Sequence, residues 1–177
     1  MRISPLVFLL IPGVLSGQTA AAKSVTRAEA AVVTIRMDEI LKTLVKNPGP
    51  AKLASVQQGD KAATRSEILE RFYVLFERAK PGFQIQPGMQ SVDPKKFLGL
   101  TAGAKTQAEV LAKWGFIAPV GVLVADTKQD ISINQFGDAV GFFLARLAEL
   151  THKPSSKFSP HLMTNPTSDS PKPKKRG

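Results

Sequence analysis

One short pattern opens three stretches of this chain: an apolar residue, then Thr or Ser, two further residues, then Glu or Gln. It reads Val25-Thr26-Arg27-Ala28-Glu29, Ala63-Thr64-Arg65-Ser66-Glu67 and Ile131-Ser132-Ile133-Asn134-Gln135. The spacing is that of a capping box. The hydroxyl accepts from the backbone N–H three residues on, and the Glu or Gln side chain reaches back to the N–H of the cap. Each copy predicts a helix start, so the pattern commits most of the chain to α-structure.

The apolar periodicity behind each box agrees. Val25–Lys46 places Ala30, Val33, Met37, Ile40 and Leu44 on one face, with an Asp38–Lys42 pair expected on the outer face. Asn47-Pro48-Gly49-Pro50 ends it. Thr64–Lys80 carries Ile68, Leu69, Phe72, Leu75 and Phe76, and Glu67 is spaced to pair with Arg71. Ile131–Leu150 has the cleanest start and reads as the core helix around which the rest is organised. Ile131 and Phe136 are spaced as a hydrophobic staple, and Phe136, Val140, Phe143, Leu147 and Leu150 form its apolar face. Its second stripe, Gly137, Gly141 and Ala145, costs helix propensity and is expected to admit a closely packed backbone.

Weaker signals fill the interval. Phe83–Val92 alternates briefly around Pro87-Gly88, as a loop or very short strand. Asp93-Pro94 starts a short helix. Thr106 and Glu109 predict a further helix, ended at Gly115 in a left-handed turn, and Val120–Val124 is a candidate strand. The expectation is a mostly α protein: a small orthogonal bundle of about four or five helices over residues 23–151.

The two ends read differently. Residues 1–22 have the form of a cleaved secretory leader: Arg2, the apolar run Ile3–Leu15, then small residues to Ala22. The run is short for a membrane span, and no second one follows, so no transmembrane span is expected in the mature chain. Residues 152–177 are rich in Pro, Ser, Thr and Lys, and read as a disordered basic tail. The tail holds six Lys or Arg against Asp169, so 6 − 1 = +5 of the net +10 lies there. It suits nonspecific contact with an anionic surface, or none.

Several function classes are disfavoured. The chain has no cysteine, which removes disulfides, thiolate catalysis and Cys-ligated metal. The two histidines, His152 and His161, lie in the tail, away from any core-positioned nucleophile. Asp126, Asp130 and Asp138 lack the spacing of a calcium loop, and no Gly-rich phosphate loop occurs. Trp114 and Tyr73 fall within apolar helices, so no stacking platform for nucleic acid is evident. The Phe-rich faces read as core. No enzyme, cofactor, metal or specific nucleic-acid partner is expected.

The boxes resemble the S-layer homology domain family, whose repeats open a helix with an Ile-Thr-Arg-Ala-Glu-Phe type motif. That family also carries a Gly-Ile-Ile turn roughly 16 residues before the motif. Here Gly115-Phe116-Ile117 precedes Ile131 by 131 − 115 = 16 residues. The motif helices would be 25–46, 64–80 and 131–151. The third copy has lost its Arg, and the family's opening Phe-x-Asp-Val is missing. The resemblance implies noncovalent attachment to anionic cell-wall polysaccharide. Its motif Arg would contact sugar carboxylates, a role that carries over to Arg27 and Arg65 alone. The expectation is therefore an exported, non-catalytic protein of the periplasm, cell envelope or cell surface. It would bind an anionic wall polymer or another envelope component. The alternative is an exported helical adaptor that binds a protein partner through its Phe-rich helices.

Overall fold

A computed structural model of the chain describes residues 23–55 and 60–151. The expected leader and tail lie outside the described residues. Within them the protein is a small helical bundle of four α-helices, α1 (Arg27–Leu44), α2 (Arg65–Ala79), α3 (Ala102–Lys113) and α4 (Ile133–Thr151). Two 3-10 turns, Lys80–Gly82 and Pro94–Lys96, lie between α2 and α3. Among the described residues, no helix is long and apolar enough to cross a membrane.

All three capping boxes form. Thr26 and Thr64 accept from the amides of Glu29 and Glu67, whose carboxylates accept from the cap amides in return. Gln135 Oε1 accepts from Ser132 N–H at 3.1 Å, and Ser132 Oγ from Gln135 N–H at 3.3 Å. Helix α3 starts earlier than its sequence suggests. Thr101 caps α3, and Thr106 lies inside it with its hydroxyl on Ala102 O. Thr101 lacks a Glu or Gln three residues on, which hid it. The C-terminal end is as expected: Gly115 adopts φ +75°, Phe116 N–H reaches Leu111 O and Gly115 N–H reaches Ala112 O.

The box starts are tied to one another in a ring. Arg27 N–H donates to Lys61 O at 2.9 Å, Arg65 N–H to Gln129 O at 2.8 Å, and Ile133 N–H to Lys23 O at 3.0 Å. In each case the first residue of a helix bonds the carbonyl three positions before the next box's cap. Antiparallel bridges Thr26–Ala62, Thr64–Asp130 and Ser24–Ser132 mark the same junctions. The first amides of a helix have no partner within it. Here the lead-in to each box supplies one, a carbonyl, to the box before it, and the lead-in to the first serves the third.

The hub of the bundle is α2, which packs on α1, α3 and α4. Ile68, Leu69, Phe72, Leu75 and Phe76 are all buried, as the periodicity requires. Phe72 meets Phe143 at 5.0 Å between ring centroids, and Phe143 meets Phe116 at 4.6 Å. Phe76 meets Phe116 and Trp114 at 5.3 and 5.5 Å. The tilted and edge-on geometries suit the ring quadrupoles.

Four expectations are corrected. The role of organising helix passes from α4 to α2. Among the described residues nothing packs on the Gly137–Gly141–Ala145 stripe: it is exposed, and a Cβ at either glycine would meet none of their atoms within 4 Å. The α1 face is rotated, with Ala30, Thr34, Met37, Asp38 and Leu41 buried and Ile40 exposed. Asp38 does meet Lys42 at 2.9 Å, but it also takes Arg78 at 2.5 Å and faces inward. Finally, Val120–Val124 forms turns in place of a strand, closed by Val124 N–H on Gly121 O, whereas 83–92 is a loop, one of the two forms expected for it.

Candidate functional site

The ring puts the three positions that follow the caps, Arg27, Arg65 and Ile133, in equivalent places. Their side chains meet three different fates. At the junction of the first and second boxes, Arg27 lies across from the Glu67 carboxylate. Its Nη2 is 2.7 Å from Oε1, and its Nε donates to Oε2 at 3.1 Å. Both side chains are about one-third exposed. Burial raises the affinity of Glu67 for a proton, but the Thr64 amide, Arg27 and the Thr64 hydroxyl outweigh it and hold the carboxyl below its ordinary value.

At the second junction the following box carries Gln135 in place of Glu. Arg65 turns inward and is buried, with 1% of its surface exposed. Its guanidinium donates to backbone carbonyls: Nε to Lys128 O at 2.5 Å, Nη1 to Leu123 O at 3.3 Å, Nη2 to Leu98 O at 3.1 Å and to Asp126 O. The Val122 carbonyl lies at 3.5 Å from Nη1. Gly99 makes room for this: its φ is +63°, and a Cβ there would stand 2.6 Å from Arg65 Nη2. Arg65 is therefore a structural clamp on the 98–128 segment and offers no face to a ligand. That removes it from the pair of candidate site residues, and Arg27 and Arg65 do not converge. At the third junction Ile133 brings no charge. Glu29 of the first box takes Lys23 instead, at 3.2 Å.

The first junction opens into a polar cleft lined by several charged side chains. Arg27, Lys52, Glu67, Glu70 and Arg71 line about 300 Å³ between α1, α2 and the segment at 52–54, over a floor that includes Ala30 and Ile68. The expected Glu67–Arg71 pair is not made, because Glu67 is engaged by Arg27. Arg71 Nη1 instead lies 3.4 Å from both Thr34 Oγ1 and Ala54 O. Three cations against two carboxylates leave the cleft with a net positive charge. Arg27 keeps N–H groups that no acceptor among the described residues takes up. A guanidinium in this state can add a carboxylate or phosphate oxygen beside its glutamate.

Lys52 and Arg71 belong to no repeated motif. Arg71 sits on α2 one turn beyond Glu67 and reads as its partner, so sequence reasoning missed both. The one available signal was the interval: Lys52 follows the Pro-Gly-Pro stop and is carried back past α1. This chain matches no family model, no curated protein and no solved structure.

Proposed function

We propose that this chain is an exported, non-catalytic envelope protein that holds an anionic wall polymer in the cleft of Arg27, Lys52 and Arg71. The observation that carries this reading is the different fate of the position after the cap at the three ring junctions. The same backbone arrangement consumes Arg65 internally and lacks a cation at Ile133, but leaves Arg27 beside two further cations. The cyclic bonding of the three boxes is in keeping with reading them as copies of one unit.

The test is co-sedimentation with purified cell-wall sacculi. The chain from Lys23 is compared with its Arg27→Ala/Arg71→Ala variant at low and at physiological salt. Retention that persists at physiological salt and is lost in the double variant supports the polymer site. Retention that vanishes with salt in both leaves charge attraction alone and sinks the reading.

A second reading is the helical adaptor. Its expected Phe-rich surface is largely internal, since Phe72, Phe76, Phe116 and Phe143 pack on one another. Among the described residues Phe142 is the one exposed phenylalanine. It joins Ile133, Val120 and Val122 on the surface, and this apolar area is what favours a protein partner.

A further inference from the structure

The outer face of α4 has the wrong chemistry for water. Of its exposed residues Asp138 alone is charged; Asn134 and Gln135 are polar but confined to the first turn, and beyond it Gly137, Gly141, Phe142, Ala145 and Ala148 are apolar or small. By contrast, the exposed residues of α1 include Arg36, Glu39 and Lys42. Beside α4 the turn at 116–123 leaves an apolar groove of about 190 Å³, walled by Ile117, Val122, Ala139 and Phe142, with Asp138 at its rim. Among the described residues, the helix is covered on its inner side alone.

We infer that the chain's own N-terminal run, Ile3–Leu15, covers this face for as long as it remains attached. Where that segment joins the fold is the first argument. The carbonyl of Lys23, the first described residue after it, accepts the Ile133 N–H, so the described chain begins at the N-terminal end of α4, the end nearer the groove residues Gln135 and Asp138. Its length is the second. The eight residues from Leu15 to Lys23 span up to about 28 Å, whereas α4 from Ile133 to Ala148 is about 22 Å long. Charge is the third. Residues 1–22 contain one charged side chain, Arg2, and the face presents one, Asp138, of opposite sign. The tail leaves from the far end of α4 but carries six cations, a poor match to an apolar face. Removal of the leader would then uncover the surface on which the adaptor reading rests. The covering itself requires neither that reading nor the polymer site.

The cysteine-free chain makes this measurable. Gly141→Cys places one thiol on the face, where the added Cβ meets nothing within 4 Å. Maleimide labelling is timed in the full 177-residue chain and in the same chain with Val7→Asp and Leu10→Asp. The expected result is labelling at least about tenfold faster once the apolar run is broken, at rates independent of protein concentration. Equal rates in the two chains would overturn the inference. So would protection that grows with concentration, which assigns the face to a second copy. Protection relieved by Phe158→Asp with Leu162→Asp, and untouched by the leader changes, would assign it to the tail and equally overturn it.

Discussion

A guanidinium buried among carbonyl oxygens, with no carboxylate bonded to it, is held only as long as those oxygens stay in place. Arg65 joins Leu98, Leu123, Asp126 and Lys128, stretches that have no regular secondary structure of their own. Truncation would strand several acceptors and open a cavity. Arg65→Ala is expected to cost about 3–5 kcal/mol in urea unfolding, against about 1 kcal/mol or less for Arg27→Ala, whose ion pair is partly solvated. Similar losses for the two would contradict the structural division between them. The same clamp makes Gly99 intolerant. Gly99→Ala must strain a backbone at φ +63° and displace a bonded Nη2, so it is expected to destabilise by more than about 1 kcal/mol.

For the elements, the helix starts carry two separable interactions. Thr64→Ala removes the side-chain cap and is expected to cost about 1 kcal/mol. Ile133→Pro tests the ring instead. Proline is well suited to the first helical position, so α4 itself is preserved, while the N–H that reaches Lys23 O is deleted. A loss of about 0.5–1.5 kcal/mol by denaturant unfolding would measure that ring bond. No loss would mean the ring closes without it. The outer stripe of α4 predicts the opposite sign. Gly137 and Gly141 are helical and unopposed, so each Gly→Ala change should stabilise by up to about 1 kcal/mol.

At the level of the whole molecule, acid sensitivity follows from where the carboxylates sit. Thr26's amide and then Lys23 hold Glu29 below its ordinary 4.5, and the Ser24 hydroxyl holds Asp130 below 3.8. The Lys128 amide does the same for Asp126, and Glu67 is lowered despite its burial. A carboxyl whose folded value lies below its unfolded value binds more protons in the unfolded chain. Its stabilisation is complete above the unfolded value and is lost as pH falls through the folded one. The urea midpoint should therefore be level from pH 7 to about pH 5 and fall progressively below about pH 4.5. Because Glu67 bonds Arg27 across the first junction and Asp130 bonds Ser24 across the third, the loss should register in one cooperative transition. Separate loss of single helices on acidification would contradict the ring.

Local chemistry was sufficient for much of this. A hydroxyl three residues before a Glu or Gln, followed by a 3.6-residue apolar period, needs no tertiary partner to define a helix start. The three boxes, the α2 face and the Gly115 turn were therefore legible in the amino-acid order. Helix α3 was misplaced at its start because Thr101 caps without the reciprocal glutamate. What the residues do at their tips was decided elsewhere. Arg27 and Arg65 occupy the same motif position, each between a capping Thr and a Glu two residues on. The distant residue across each junction separates them: Glu67 leaves Arg27 at the surface, whereas at the other junction the carbonyls of 98–128 draw Arg65 inside. The outward glycine stripe, the inward Asp38 and the cations of Lys52 and Arg71 in one cleft share that origin. They depend on which elements become neighbours, and long-range packing decides this where local periodicity is silent.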